Sequence, residues 1–356
     1  MGIKNLSRFV RDNYPELCST LSTSKLRGQK IAIDTAIYMN KFKAACGDRW
    51  LGSFISMVCM FIKDGVHPVF VFDNGHPPEK NDEREKRAQS RRNQRDRIAR
   101  LEEAVEDFDR TGIISDMLRA VHDKESAGVS TTTLLRRPGS TNFNIDIVRQ
   151  KLRRMKSHIF HITDDDYDTL KKFFHLAGVP WLFAADEAEK TCVHLLRENL
   201  VNAVLSEDSD CLAYQCENFL SKLDFRSKTV QRVRYSDLVE AMHFSDDTFL
   251  DFCIMAGTDY NSNIRGIGVS KAFDLMSKHA SIENLPKNLD TSSLRHRVCK
   301  RLFTTFPPLT AKQRKSVRWL PLKPRPGLEE FLTINNLQDQ FQRMMQAYKP
   351  RDITFE

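Results

Sequence analysis

Acidic residues follow several apolar runs at the points where predicted strands end. Asp34 and Asp73 each close an apolar run, and Asp208 and Asp210 follow a third one. Sites in open parallel sheets form outside the carboxyl ends of the strands, so we expect these carboxylates to lie close together. Any one of them alone could instead be a helix cap or a turn former.

Three further acids are expected at the same edge of the sheet. Glu187 and Glu189 open a helix that follows another strand, and Asp259 ends a helical run. So many carboxylates in a small volume would raise each other's pKa unless cations keep them ionised. Oxygen ligands without Cys or His favour Mg²⁺ or Mn²⁺, and two such ions about 3.5–4 Å apart stabilise an in-line phosphoryl displacement. The pattern therefore predicts metal-dependent hydrolysis of phosphodiester bonds.

Short apolar runs alternate with helical patterns along the chain. This alternation predicts an α/β fold with a mainly parallel central sheet flanked by helices. The expected strands are Lys30–Asp34, Pro68–Asp73, Val179–Phe183 and Asn202–Leu205. The expected helices are Asp165–Leu176, Glu187–Arg197, Phe249–Ala256 and a packing helix near Leu328–Leu332.

A basic segment interrupts this pattern after the second strand. Residues 80–100 carry nine Lys or Arg against four Asp or Glu, and apolar periodicity begins only at Leu101. A polar stretch (125–142) and a second basic run (149–156) follow, so we interpret 75–163 as a mobile, basic excursion from the sheet. A solvated charged helix with a disordered loop is the alternative interpretation.

These patterns divide the chain into four expected regions. They are an N-terminal sheet region with the start of the basic segment (1–105), the rest of the insertion (106–163), a second sheet region (164–300) and a C-terminal packing segment (301–356).

Composition restricts the class of protein. The net charge of +8 and the pI near 9.0 favour a polyanionic partner, although many other enzymes are equally basic. The eight cysteines include no C-x-x-C pair, which argues for reduced thiols and against a zinc site. The longest apolar run, Phe54–Ile62, is shorter than the roughly 20 residues of a membrane helix, and no signal-peptide pattern is present. We therefore expect a soluble, intracellular protein without membrane association.

Six motifs follow one another along the chain. They are Met1–Leu6, Ile31–Asp34, Val69–Asp73 with Pro77 and Pro78 after it, Asp186–Glu189, Ser206–Asp210, and Phe252–Tyr260 leading into Ile264–Gly268. In this order they resemble the XPG/flap endonuclease family of structure-specific 5′ nucleases. The resemblance implies a DNA endonuclease and 5′ exonuclease that cuts near junctions of single-stranded and double-stranded DNA, in replication, repair or recombination.

The resemblance also implies the roles of individual residues. Two Mg²⁺ ions, or Mn²⁺ as a substitute, would be bound by Asp34, Asp73, Glu187, Glu189, Asp208, Asp210 and Asp259. Lys80 and Arg87 would assist at the scissile phosphate from a basic helical arch. In a helix–two-turns–helix element, Ile264–His279, the backbone at Gly266 and Gly268 would grip a duplex phosphate together with K⁺. The other implied DNA contacts are Gly2, Arg91 and Arg92.

This chain departs from the family pattern at three places. The segment between Asp73 and Glu187 is longer than in the ordinary flap enzyme, and Asn40 stands where the family often has a base-stacking tyrosine, with Tyr38 only nearby. The end of the chain, 349–356, shows no sliding-clamp-binding peptide. A compact, diverged member of viral origin would fit these departures.

The implied partner is branched or flapped DNA, bound by a monomer. The expected location is the nucleus, which is the host nucleus for a viral protein, or a cytoplasmic site of DNA replication. The residues do not distinguish flaps, bubbles, Holliday-type junctions, nicks and duplex ends.

Two other functions are weighed against this one. The first is an RNA-directed nuclease on a related acidic-sheet fold, such as a PIN-type ribonuclease or a 5′→3′ exoribonuclease, and the helix–two-turns–helix motif argues against it. The second is a catalytically silent DNA-binding scaffold. The presence of all seven acids argues against a scaffold, because an inactive protein has no physical reason to keep a repulsive cluster.

Overall fold

The computed structural model describes residues 2–128, 143–157, 160–318 and 322–349. The strands found there are β1 (Ser19–Ser22), β2 (Lys30–Asp34), β3 (His67–Phe72), β4 (Trp181–Phe183), β5 (Ala203–Leu205), β6 (Asn218–Asp224) and β7 (Thr229–Arg234). They form one sheet in the order β1-β7-β6-β5-β2-β3-β4.

The centre of the sheet is parallel. β2 pairs with β3 and β5, β3 pairs with β4, and β5 pairs with β6, all in parallel. By contrast, β7 is antiparallel to both β1 and β6. β2, β3 and β5 are almost entirely buried apolar runs, as is usual for strands covered by helices on both faces. The prediction of a mainly parallel sheet flanked by helices is confirmed.

The antiparallel part of the sheet, made of β1, β6 and β7, is not predicted by the sequence pattern. β7 reads as a polar, cationic segment, and its buried residues Val230 and Val233 lie three positions apart. That spacing breaks the alternation of a half-buried strand. A register shift between Ser221 and Asp224 disturbs the alternation of β6 as well.

The described residues also contain sixteen α-helices. They are α1 (Leu6–Asn13), α2 (Thr35–Cys46), α3 (Trp50–Asp64), α4 (Asn81–Thr111), α5 (Asp116–Gly128), α6 (Ile145–Ser157), α7 (Asp164–Leu176), α8 (Ala188–Arg197), α9 (Asp210–Ala213), α10 (Tyr235–Ala241), α11 (Asp246–Ala256), α12 (Val269–His279), α13 (His296–Thr304), α14 (Ala311–Ser316), α15 (Leu328–Ile334) and α16 (Asp339–Tyr348). The predicted helices correspond to α7, α8, α11 and α15.

The chain forms two compact units. A sheet unit comprises Met1–Phe42, Asp48–Lys80 and Thr163–Glu356, and a helical unit comprises Lys43–Gly47 and Asn81–Ile162.

An aromatic cluster in the sheet unit attaches helices to one face of the sheet. Phe174 of α7 stacks on Phe70 of β3, with ring centroids 4.1 Å apart. Its ring also contacts Phe54 of α3 at 5.9 Å and Phe72 of β3 at 6.1 Å. None of the four side chains is more than 2% exposed. Aromatic pairs of this kind combine a large apolar burial with a specific geometry, so they fix α3 and α7 against the sheet.

The stretch Thr35–Asp64, which contains α2 and α3, has the length and apolar composition of a membrane-spanning helix. Half of its most apolar window, 50%, is buried inside the protein. A 3₁₀ turn, Gly47–Arg49, separates the two helices, and Phe54 and Phe61 of α3 are fully buried. Packing in the core therefore accounts for the apolar composition of α3.

The helical unit has a small core of its own. Ile98, Leu101 and Val105 of α4 pack with Leu118 of α5 and Val148 of α6. No residue of α4 before Ile98 is buried, so the first half of this long helix is a charged, solvated rod. Residues 129–142, most of the polar stretch noted in the sequence, lie outside the described residues.

Replacing Phe174 with alanine should lower the free energy of unfolding of the sheet unit by about 3–5 kcal/mol. The reason is that truncation of a buried phenylalanine loses apolar burial and leaves a cavity. Urea unfolding followed by circular dichroism measures this loss. The control is Ile334→Ala on α15, where the side chain is 70% exposed and the change should stay within about 0.5 kcal/mol. Equally small changes in both variants would contradict the packing described for α7.

Candidate metal centre

The ends of the parallel strands bring predicted acids together. Asp34 is the last residue of β2, Asp73 directly follows β3, and the pairing register places both at the same edge of the sheet. Asp208 lies just beyond β5. Ser206 connects two of these acids, because its hydroxyl donates to Asp34 Oδ2 at 3.2 Å and accepts from the backbone N–H of Asp208 at 3.0 Å.

The N-terminus of α8 adds the glutamates to this edge. Asp73 Oδ1 accepts a hydrogen bond from the backbone N–H of Ala188 at 2.7 Å, and Asp186 Oδ1 accepts one from Glu187 at 2.8 Å. The first N–H groups of a helix have no acceptor within the helix and favour negative charge. These bonds fix the start of α8, and with it Glu187 and Glu189, beside Asp73.

Glu189, Asp208 and Asp210 form a close group within the cluster. One carboxylate oxygen of each lies within 4.8 Å of one from each of the others. The three residues are buried, with Asp210 0% exposed. Neither carboxylate oxygen of Asp210 has a hydrogen-bond partner in the part of the chain that the structure describes. A buried carboxylate without a partner is unfavourable, so a cation bound by these oxygens would satisfy it.

Burial and mutual repulsion disfavour the charged forms of these carboxyls. Burial raises the pKa of Asp34 to about 8, with further contributions from the charges of Asp73 and Asp208. Burial and a neighbouring carboxylate also raise the pKa of Glu189 and that of Asp210 well above the usual range. Nearby cations favour the ionised forms of such groups. A donor set made only of oxygens fits Mg²⁺ or Mn²⁺.

Lys80 lies in the same cluster. Its ammonium pairs with Glu187, and it is 3.7 Å from Glu189 Oε1 and 3.4 Å from Asp259 Oδ2. Burial opposes the charge on Lys80, but the carboxylates of Glu189, Glu187 and Asp210 outweigh burial and raise its pKa. The predicted catalytic lysine and the seventh predicted acid, Asp259, are thus brought to the site.

Gly2 lies against the cluster, at a position that only glycine fits. Its φ is +79°, and a Cβ there would collide with Asp208 Oδ1 and lie 2.6 Å from the backbone nitrogen of Asp210. The hydroxyl of Ser209 donates to the carbonyl of Ile3 at 3.2 Å and holds this segment in place. The predicted DNA contact Gly2 therefore borders the acids.

The predicted helix–two-turns–helix element, Ile264–His279, contains a turn followed by α12, while α11 ends before it at Ala256. Gly266 has a φ of +80°, and at both Gly266 and Gly268 an added Cβ would meet no heavy atom within 4 Å. Gly268 is the N-cap of α12 and offers no side chain to the first N–H groups of that helix. The first N–H groups of a helix have no acceptor within the helix, so a helix start beside open space is suited to binding a phosphate.

The other predicted DNA contacts lie on α4 of the helical unit. Arg87 is partly exposed, and its guanidinium is 3.2 Å from Glu83, one turn earlier. Arg91 and Arg92 are exposed. All three belong to the charged half of α4, which carries no core residue.

Tyr38 and Asn40 occupy the region where the family often has a base-stacking tyrosine. Tyr38 is 0% exposed, so its ring faces the core. The side-chain amide of Asn40 donates to the carbonyl of Ala36 at 2.8 Å. Tyr38 therefore has no exposed ring on which a base could stack, and Asn40 has no ring.

Two tyrosines that the sequence pattern does not single out complete the cluster. The Tyr260 hydroxyl donates to Glu187 Oε2 at 2.6 Å, and the Tyr214 hydroxyl is 3.1 Å from that of Tyr260. Tyr260 directly follows Asp259, and Tyr214 lies one turn after Asp210. Their closeness in sequence to Asp259 and Asp210 indicates that they lie near the acids. It does not indicate whether their hydroxyl groups point toward the acids.

Sequence comparison relates the chain to known nucleases. The family model described as the XPG N-terminal domain matches residues 1–95, and that of the XPG I-region matches residues 178–259. The probable RAD2-like endonuclease 076L of Invertebrate iridescent virus 3 is 31% identical over 327 residues, which are 85% of this chain and 85% of that protein. Flap endonuclease 1 of Cryptosporidium parvum is 28% identical over 319 residues, or 82% of this chain and 56% of that protein.

Solved structures share the fold. The catalytic core of Rad2 in complex with DNA substrate matches with a TM-score of 0.62 and 14% identity, over 97% of this chain and 100% of that one. Flap endonuclease-1 from Methanococcus jannaschii matches with a TM-score of 0.59 and 17% identity, over 94% of this chain and 98% of that one. Taken with the family models and the viral relative, these findings confirm the resemblance seen in the motifs. The chain belongs to the XPG/flap endonuclease family of structure-specific nucleases.

Proposed function

We propose that this protein is a structure-specific DNA endonuclease and 5′ exonuclease, which hydrolyses phosphodiester bonds with two divalent cations near junctions of single-stranded and double-stranded DNA. The observation that carries the proposal is the buried carboxylate cluster, in which Asp210 has no hydrogen-bond partner in the described part of the chain. The names of the viral and protozoan relatives, both endonucleases, support this reaction class. DNA replication, repair or recombination is the process proposed.

The carboxylates are proposed to hold Mg²⁺, with Mn²⁺ as a substitute. Glu189, Asp208 and Asp210 would bind one ion, since their oxygens converge. The other four acids, Asp34, Asp73, Glu187 and Asp259, would complete a site for two ions. When bound, such ions polarise a phosphodiester and lower the pKa of the attacking water.

Lys80 and Arg87 are proposed to act on the scissile phosphate. Lys80 keeps its charge because the surrounding carboxylates raise its pKa, so it can donate hydrogen bonds to a phosphate oxygen at neutral pH. Negative charge on the phosphate increases in the transition state, and a preorganised cation stabilises it most at that moment. Arg87 would contribute in the same way from α4.

The backbone at Gly266 and Gly268 is proposed to bind the duplex arm of the substrate. A phosphate would occupy the open space there and accept hydrogen bonds from the first N–H groups of α12, with K⁺ at the adjoining turns. Contacts to phosphates carry no sequence information, which suits an enzyme that recognises DNA structure. Gly2, Arg91 and Arg92 would add further contacts to the DNA.

Cleavage of a panel of nucleic acids tests the proposed function. In Mg²⁺, the wild-type protein should cut one or more end-labelled DNAs among flaps, bubbles, Holliday-type junctions, nicks and duplex ends, and should not cut matched RNAs. Asp210→Asn should bind the preferred DNA as before but cleave it at least about 100-fold more slowly, the effect usual for loss of one preorganised electrostatic group.

Asp237→Asn is the control for this panel. Asp237 lies on α10 with its side chain 45% exposed, and its replacement should leave the cleavage rate unchanged. Full wild-type activity in EDTA would contradict the metal assignment. Cleavage of RNA alone would favour the RNA-directed alternative, and no cleavage of any substrate would favour the scaffold.

The stability of the metal-free protein should depend on pH through Asp34. Burial raises the pKa of this carboxyl to about 8 in the folded protein, from an ordinary value of 3.8. Its contribution to stability is therefore fully present below pH 3.8 and is lost as the pH rises toward 8, because only the unfolded chain then releases the proton.

Asp34→Asn removes the carboxyl that causes this pH dependence. The contribution of Asp34 is therefore the difference in free energy of unfolding between the wild type and the variant at each pH. In EDTA, the variant should become increasingly more stable than the wild type between about pH 4 and pH 8. Urea titrations at several pH values measure the difference, and added Mg²⁺ should reduce it by stabilising the wild type. If the difference in free energy of unfolding between the variant and the wild type did not change with pH, the pKa of Asp34 would not be raised in the folded protein.

Gly266→Ala should weaken binding to the duplex arm, because the new Cβ enters the space proposed for a phosphate. The matched control is Gly28→Ala. Gly28 has a φ of +74° and, like Gly266, nothing within 4 Å of the added Cβ, so both substitutions impose the same backbone strain. Fluorescence anisotropy with duplex-containing DNA should give an affinity about tenfold lower for Gly266→Ala only. Equal affinities would refute the proposed duplex contact.

A further inference from the structure

The tyrosines beside Glu187 form a buried chain of hydrogen bonds. The Tyr260 hydroxyl donates to Glu187 Oε2 at 2.6 Å. Because that proton is used, the bond of 3.1 Å between the two tyrosine hydroxyls requires Tyr214 to be the donor and Tyr260 the acceptor. Tyr214 therefore donates to Tyr260, and Tyr260 donates to Glu187, where the chain of hydrogen bonds ends.

Packing fixes the positions of both tyrosine rings. Tyr214 is 1% exposed and Tyr260 is 2% exposed. Phe303 of α13 contacts both, with its ring centroid 4.9 Å from that of Tyr214 and 5.4 Å from that of Tyr260. Side chains in close-packed interiors sit in rotamer minima that their neighbours select, so the packing sets the positions of the two hydroxyl oxygens.

The other carboxylate oxygen of Glu187 faces Lys80. The Lys80 ammonium pairs with Glu187 Oε1 and lies 5.6 Å from the centre of the Tyr260 ring. Tyr260 therefore touches both members of this ion pair, one through its hydroxyl and the other through its ring face. Both oxygens of Glu187 are engaged by donors from the protein. In this respect Glu187 differs from Asp210, whose oxygens have no hydrogen-bond partner among the described residues.

We propose that Tyr260, supported by Tyr214, is a positioning residue that orients Glu187 and through it holds the Lys80 ammonium in place. The inference rests on the proposed role of Lys80 at the scissile phosphate. A lysine side chain is flexible, with a compact charge at the end of four methylene groups. Stabilising a transition state requires that charge at a fixed position, and the oriented carboxylate of Glu187 provides it.

Hydroxyl removal tests the proposal under single-turnover conditions. Tyr260→Phe keeps the ring and should lower the cleavage rate about tenfold or more, the size of one hydrogen bond to a charged group. Tyr214→Phe affects Glu187 only through Tyr260, so it should lower the rate about two- to threefold. DNA affinity without divalent ions should stay as in the wild type for both variants. Because Glu187 is also a proposed Mg²⁺ ligand, all cleavage rates are compared at saturating Mg²⁺.

Tyr235→Phe is the matched control. The Tyr235 hydroxyl donates to Asp246 Oδ1 at 2.9 Å, so this substitution also removes a bond from a tyrosine to a carboxylate, away from the acidic cluster. We expect it to change the unfolding temperature about as much as Tyr260→Phe does. Its cleavage rate should equal that of the wild type.

A double-mutant cycle identifies the partner of Tyr260. In a Lys80→Ala background, Tyr260→Phe should change the remaining rate less than about twofold, because the group that it positions is gone. An equal loss in both backgrounds at saturating Mg²⁺ would overturn the proposal. If the wild type cleaves nothing in the panel, the proposed function itself fails, whereas wild-type cleavage with additive losses refutes only the role of the tyrosines.

Discussion

Electrostatic repulsion among buried carboxylates is the constraint on which the rest of this structure depends. Asp34, Glu189 and Asp210 are held where burial and neighbouring charges raise their pKa values. Such an arrangement opposes folding, so other interactions must impose it. The parallel pairing of β2 with β3 and β5 supplies the backbone, and the aromatic packing around Phe174 fixes helices against it. Lys80 offsets part of the negative charge.

The positions of the acids were predictable because strand ends are easy to recognise. Asp34 and Asp73 follow apolar runs, and the geometry of a parallel sheet gathers whatever follows such runs at one edge. Tyr260 was not predictable, although it follows Asp259 directly. Its hydroxyl reaches Glu187 only because residues distant in sequence meet there, and Phe303 fixes its ring from a third segment.

In the helical unit, segments rich in charged residues also contain apolar residues that form a buried core. The run 149–156 is rich in Lys and Arg, yet its Leu152 lies on one buried face of α6 with Val148, which directly precedes the run. Leu118 of α5 is likewise buried, and Met117 and Val121 pack against the same cluster. Positions four apart identify this small core, whereas residue composition alone suggests only a solvated segment.

The close contact of Gly2 with Asp208 and Asp210 has a practical consequence for purifying the protein. Gly2 borders Asp208 and Asp210, and its backbone conformation is one that larger residues rarely adopt. Any peptide fused ahead of it would emerge next to the carboxylates. A polyhistidine purification tag at that end would bring imidazole ligands to the cluster, where they would recruit nickel or zinc and imitate inhibition of the enzyme.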